Sequence, residues 1–350
     1  MKKTILGCFA LLCSAWAWAD DAFSIGDFTI AAGEEKTIDV MMSHDVDIAA
    51  FQFVLELPQG VSIEKVMATN RLKKWDDDES AYVPVHQIAT HAGNGTYKVM
   101  AYAMPTTNIA GNSGDAVVKL KFKASDQIST GSFTLSITDQ EMTEADGTKH
   151  KIDASTYQCD VTLSAKVTAL GYASFSWPKA LDFSASGVEA YIAKSCDGSS
   201  VTLEKVTKVP ANTGLILKGV AGSENTYQLQ TTDDATDDVS ANRLTSTASG
   251  AYTIQASDNS IYVLSNLKDG QAGFYIADAG VEIGQYKAYL NYESTGSCGL
   301  KFNFSDNDVN SIQSIDTPGG HEVLYNLQGQ RTTSPRQGIY IMGSKKVVIK

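Results

Sequence analysis

The sequence predicts an all-β protein. Nearly every apolar run alternates with polar residues at period two, Gly, Asn, Ser and Pro recur between the runs, and no stretch carries the spacing of a long amphipathic helix. Because the alternate positions are charged, one face of each strand is wet. That pattern suits antiparallel sheets packed as a sandwich better than a buried parallel sheet.

The chain opens on a leader. Lys2 and Lys3 precede an apolar run from Ile5, and Ala17-Trp18-Ala19 places small residues where signal peptidase reads them, so cleavage is expected between Ala19 and Asp20. Leu6-Gly7-Cys8 superficially resembles a lipobox but leaves too short an apolar run before the cysteine. No other apolar run is long enough to span a membrane.

Loss of Lys2 and Lys3 takes the formal net charge of −12 two units further negative. A chain so acidic has no electrostatic footprint for nucleic acid. Two acid clusters, Asp76 to Glu79 and Asp233 to Asp238, read as solvated loops, with a calcium site as the lesser alternative. The three cysteines left after the leader, Cys159, Cys196 and Cys298, are too few and too odd for a disulfide framework. Cys159 falls on the apolar side of an alternating run, whereas Cys196 and Cys298 lie beside glycines and would pair only if the fold brings them together.

The strands follow in order. FQFVLEL sets Phe51, Phe53, Leu55 and Leu57 against Gln52 and Glu56; VVKLKFKA sets Val118, Leu120 and Phe122 against Lys119, Lys121 and Lys123; SFTLSIT contributes Phe133, Leu135 and Ile137. Turns are expected at Pro58-Gln59-Gly60, Asn94-Gly95, Asn112-Ser113-Gly114 and Ser129 to Ser132. The pattern restarts after Leu163 with an aromatic segment around Pro178, followed by SVTLEKV, TGLILKG, SIYVL, AGFYIAD, KAYLNY and LKFNF. Pro210, Asn212 and Gly214 mark a turn before LILKG. The division expected is a leader over 1–19, a sandwich over 20–165, a second β domain over 166–305 and a short C-terminal β-hairpin domain over 306–350.

Within the first domain, Ala50-Phe51-Gln52-Phe53 after a Gly-containing turn, and the Asn/Gly loop leading into VVKLKFKA, resemble the cohesin-like sandwich. The resemblance implies a binding module: cohesins grip dockerins, and their sandwich is shared with carbohydrate-binding modules. Leu57-Pro58-Gln59-Gly60 departs from the aspartate-proline step usual after the long strand, and the nearest thing to a dockerin calcium loop fails. Asp306, Asp308 and Asn310 are followed by Ser311 where glycine is needed and by Thr317 where glutamate is needed. The second domain is similar to a β domain of surface proteins with sorting tails, to which no activity attaches.

A sugar-binding sandwich presents aromatic faces to solvent. Trp75, flanked by lysines and aspartates, is the leading candidate, with Tyr82 close by and Arg71 and Asp77 as polar partners. The alternative is that Trp75 lies over a sandwich edge as a half-buried lid. No catalytic motif is present, His44, His86, His91, His150 and His321 are scattered over loops and strand ends, and no carboxylate pair is singled out by spacing. Neither catalysis, cofactor nor metal is therefore expected.

The tail explains itself last. Tyr325 to Arg331 reads as one strand running into a turn, Thr332 to Gln337 as a linker, and Gly338–Met342 with Lys345–Lys350 as a hairpin about Gly343-Ser344. Tyr325, Gly329, Gly338, Tyr340 and Lys350 carry a resemblance to the C-terminal sorting domain of type IX secretion substrates, which implies the secretion machinery as a partner. The functional expectation is an exported surface or secreted protein that binds a polysaccharide or, alternatively, other proteins as an adhesive or structural module.

Overall fold

The computed structural model describes residues 21–258, 260–266, 272–293 and 299–305, and the backbone of four short strands beyond them. Met1–Asn303 forms one compact unit and Phe304–Lys350 a second. The fold is all β: among the described residues the only helical element is a 3-10 turn at Asn70–Leu72.

Thirteen strands build the first part: β1 (Ala22–Ser24), β2 (Phe28–Ala31), β3 (Glu35–His44), β4 (Ala50–Glu56), β5 (Val61–Ala68), β6 (Lys73–Asp76), β7 (Ala81–Pro84), β8 (Gln87–Ala92), β9 (Thr96–Tyr102), β10 (Asn112–Ala124), β11 (Gly131–Thr143), β12 (Lys149–Ile152) and β13 (Ser155–Val167). The order β1-β3-β10-β5 makes a small sheet, and β13-β11-β4-β9-β8, with β2 parallel to β13, makes the facing one. Their inner faces meet as alternation requires. Phe51, Phe53 and Leu55 are buried while Gln52, Val54 and Glu56 are not, and Leu120 and Phe122 close the core from the other side. Rings cross between sheets, Phe28 against Phe122 at 5.0 Å and Phe23 against Phe53 at 5.1 Å. Each such side chain contributes roughly 1.5–3 kcal/mol by leaving water.

Two local expectations change. Asn112-Ser113-Gly114 is no turn; it opens β10, and the turn-like residues instead mark a register shift between Ser113 and Asp115, where Gly114 takes φ +118. A bulge needs the same permissive glycine that a turn does. A second shift, between Ala116 and Val118, brings both Val117 and Val118 inside. His44 and His86 are buried rather than on the surface, because backbone carbonyls inside the fold accept from their rings.

The other half of the unit supplies β14 (Tyr172–Phe175), β15 (Leu181–Asp182), β16 (Glu189–Cys196), β17 (Ser200–Val206), β18 (Lys208–Val209), β19 (Leu215–Lys218), β20 (Asn225–Thr231), β21 (Leu244–Ser246), β22 (Tyr252–Thr253), β23 (Ile261–Asn266), β24 (Ala272–Ile276), β25 (Glu282–Ile283), β26 (Ala288–Asn291) and β27 (Gly299–Phe304). Most join a nine-stranded sheet. The turn at Pro210 forms as expected, with Asn212 at φ +61 donating its N–H to Trp177. The 165/166 boundary falls inside β13, whose first part pairs with β11 and whose last five residues pair with β20. Tyr286 also reaches back to donate to Asp126 at 3.1 Å. Cys298 lies outside the described residues, and Cys196 is half-buried.

In the second unit β28 (Leu324–Tyr325), β29 (Arg331–Thr332), β30 (Gly338–Met342) and β31 (Lys345–Ile349) form an antiparallel sheet in the order β29-β28-β30-β31. The last hairpin is as expected, with Met342 opposite Lys345. Tyr325 to Arg331 is not one strand, however. Tyr325 of β28 pairs with Arg331 of β29 instead, and residues 326–330 between them lie outside the described residues. Of the sorting residues, Tyr325, Gly338 and Tyr340 lie on these strands, while Gly329, Lys350 and the cleavage pair Ala19 and Asp20 lie outside the described residues, as does His321.

Candidate functional site

Trp75 and Tyr82 sit opposite each other on a two-stranded ribbon, β6 with β7, that leaves the sandwich after the 3-10 turn. Alternation puts Lys73 and Trp75 on one side of β6. Both rings are half exposed, Trp75 at 48% and Tyr82 at 49%. They meet edge to face, centroids 5.3 Å apart and planes 75° from each other. Trp75 Nε1 donates to Asp77 Oδ1 at 2.9 Å, which fixes the indole. The Asp76 carboxylate accepts from the N–H groups of Asp78 and Glu79, so the acid cluster forms the ribbon's turn. Among the described residues no group of three or more His, Cys, Asp or Glu side chains is arranged to hold a metal.

Arg71 does not join this trio. Its Nη1 donates to the carbonyls of Met42 at 2.6 Å and Asp115 at 2.8 Å, and its Nη2 lies 2.6 Å from His44 Nε2. Arg71 thus ties the 3-10 turn to β3 and β10. A second anchor is His86, whose Nε2 lies 2.9 Å from the Thr107 carbonyl. Burial pushes both histidines below the usual imidazole range, and the Arg71 charge adds to the effect on His44. Sequence reasoning finds the exposed ring pair from its charged neighbours, but Arg71's partners His44, Met42 and Asp115 stand 27, 29 and 44 residues away.

Beside the ribbon's root lies a concavity of about 470 Å³, lined by Arg71, Lys73 and Lys119 with Thr69 and no carboxylate. The Lys119 contribution comes from the outer face of β10, where Lys119, Lys121 and Lys123 alternate with the buried Leu120 and Phe122.

The facing sheet presents a different outer surface. Register aligns Thr143, Ala50, Tyr102 and Gln87 in one row, Glu141, Gln52, Met100 and Ala89 in the next, and Thr138, Val54, Lys98 and His91 in a third. The two central columns are small, amide, apolar or phenolic at Ala50, Gln52, Val54, Tyr102 and Met100, with Lys98 and Glu56 carrying charge at their other end. Glu141 is paired with Lys149 at 2.9 Å. No motif announces this platform, since its residues are the outward halves of four strands scattered between residues 50 and 143.

No protein-family model matches the chain, and no curated protein does. Solved structures do resemble it. A non-cellulosomal cohesin from the hyperthermophilic archaeon Archaeoglobus fulgidus is similar at 14% identity over 40% of this chain and 88% of its own, with a TM-score of 0.31. The seventh ScaB type I cohesin from Pseudobacteroides cellulosolvens is similar at 15% identity over 41% and 92%, with a TM-score of 0.32. A type I cohesin–dockerin complex from Clostridium thermocellum is similar at 11% over 40% and 96%, also at 0.32. Likeness of this degree assigns no activity or partner.

Proposed function

We propose that the chain is a non-catalytic binding protein of the cell exterior, and that its sandwich docks a protein partner on the outer face of β11, β4, β9 and β8. The observation that carries this reading is an uncharged patch on that face: Ala50, Gln52, Val54, Tyr102 and Met100 lie side by side, bordered by Lys98 and Glu56, in a chain of formal net charge −12. Interface centres are depleted in charge, and a flat sheet gives rigid main-chain geometry to dock against. Labelled full-length chain bound to envelope preparations of its own source tests it. Protease treatment should abolish binding and Met100→Arg should weaken it at least tenfold; binding that survives both sinks the reading.

A second reading is favoured by a specific observation, the half-exposed pair Trp75 and Tyr82. Aromatic rings stack on sugar faces, and the Asp77 carboxylate beside them is placed to accept from hydroxyl groups, so the ribbon is read as a carbohydrate contact. Periodate treatment of the same envelopes separates this reading from the first. The exterior location rests on the leader pattern ending at Ala19 and on the sorting motif from Tyr325 to Lys350. Deleting residues 322–350 should leave the protein in the periplasm, and unchanged surface display would refute the sorting role.

A further inference from the structure

We propose that the concavity at the ribbon's root binds the acid group of an anionic polysaccharide, whose neighbouring sugars run along Trp75 and Tyr82. This rests on the carbohydrate reading of the ribbon and adds the chemical class of the glycan.

Three cations, Arg71, Lys73 and Lys119, line one concavity into which no carboxylate projects. Arg71 is held rigidly by its bonds to Met42 and Asp115, so its charge is fixed in place. Lys73 has no ion pair among the described residues. Lys119 shares Asp39 at 3.1 Å, an exposed pair that an incoming anion can exchange at little cost.

The surrounding sheet face extends the charge. Lys65 of β5 stands directly opposite Lys121 of β10, a like-charge pair across neighbouring strands. Such a pair opposes folding. Its partial relief comes from Glu35, which serves both Lys121 and Lys123. A strip of this kind is unexpected in a chain with forty acidic residues against twenty-eight basic ones. At physiological salt the field of the remote acids is screened beyond about 8 Å, so an anion at the concavity feels the local cations.

Geometry selects a glycan over other polyanions. Three cations converge on the concavity, and the strip beyond it is broken by Asp39 and Glu35, which matches one acid group per bound stretch and not the continuous cation spacing a phosphate backbone requires. Lys73 and Trp75 share a side of β6, so a chain anchored by its acid group at Lys73 passes next over the indole. Polar Asn70 stands exposed at the rim, available to sugar hydroxyls.

The test titrates the leader-free full chain with polygalacturonate and with its fully methyl-esterified, neutral form, adding single-stranded DNA and phosphatidylserine vesicles as other anions. Polygalacturonate should bind, weaken as salt rises, and bind about tenfold less to a Lys73→Gln/Lys119→Gln variant whose melting temperature is unchanged. Trp75→Ala should weaken it as well. Equal binding of acidic and neutral polymers, lost in Trp75→Ala but indifferent to the lysine changes, overturns this proposal and leaves the carbohydrate reading standing. Binding of neither polymer overturns both, and binding of DNA or vesicles alone overturns the choice of a glycan.

Discussion

Arg71 Nη2 lies 2.6 Å from His44 Nε2, and this contact defines the protonation state of the imidazole. A guanidinium only donates, so Nε2 accepts, and the ring proton sits on Nδ1, which donates to the Val46 carbonyl at 2.6 Å. His44 is therefore neutral in the fold.

Acid should destabilise this protein well before its carboxylates are protonated. His44 and His86 both titrate below the ordinary value of 6.5 when folded. The unfolded chain binds their protons first, so stability is lost as pH falls from about 6.5 toward the folded values. Around His44 stand the Arg71 cation, which opposes protonation, and Asp21 and Asp47, which favour it less strongly. His150 works the other way. Held between Glu144 and Asp21, each at 2.8 Å, it titrates above 6.5 and contributes stability below that value, lost as pH rises through its folded pKa. Melting temperature should drop between pH 7 and pH 5, and drop more steeply in His150→Ala. A flat or rising profile would contradict the assignment.

Arg71 and Trp75 should separate cleanly under mutation. Arg71→Ala removes charge-assisted bonds to two carbonyls and is expected to cost about 2–4 kcal/mol, with Arg71→Lys restoring only part because a single ammonium cannot replace the fork. Trp75→Ala, at a half-exposed ring, should cost about 1 kcal/mol or less. Urea unfolding of the two variants measures both; equal losses would mean that the ribbon is not the separable element described.

Cys159 should be inert to thiol reagents in the native state. It is fully buried on β13, and burial pushes its thiol up to about 11, leaving little thiolate at pH 8. Iodoacetamide labelling read by peptide mass should show it modified only under denaturant, and rapid native labelling would falsify its placement.

Gly111 leaves no room for a side chain. A Cβ there would sit 2.7 Å from the Asp45 carbonyl oxygen, a backbone atom that cannot swing aside. Gly111→Ala is expected to cost roughly 1–3 kcal/mol by overpacking, measured by the shift in the urea midpoint.

Much of the sandwich was legible because period-two alternation translates directly into an inner and an outer face, as at Phe51, Phe53 and Leu55. Gly114 was misread since a bulge and a turn make the same demand on the backbone. Trp75 and Tyr82 were legible as a pair because a short ribbon brings local sequence neighbours together. Arg71 was not, and neither was the meeting of Lys73 with Lys119, because pairing of distant strands decides what faces what. The same holds for the outward rows of the facing sheet, which exist only once β4, β8, β9 and β11 are in register.

β13 belongs to two partnerships along its length, with β11 at Ser155 to Val161 and with β20 at Leu163 to Val167. A tether pulling the sandwich away from the sheet beyond it loads both sets of ladder bonds along the strand, one after the other on a single backbone, so neither half comes away without shearing a whole set. An appendage held by a flexible linker would swing freely under the same tension; this one is spliced to its neighbour like overlapping planks.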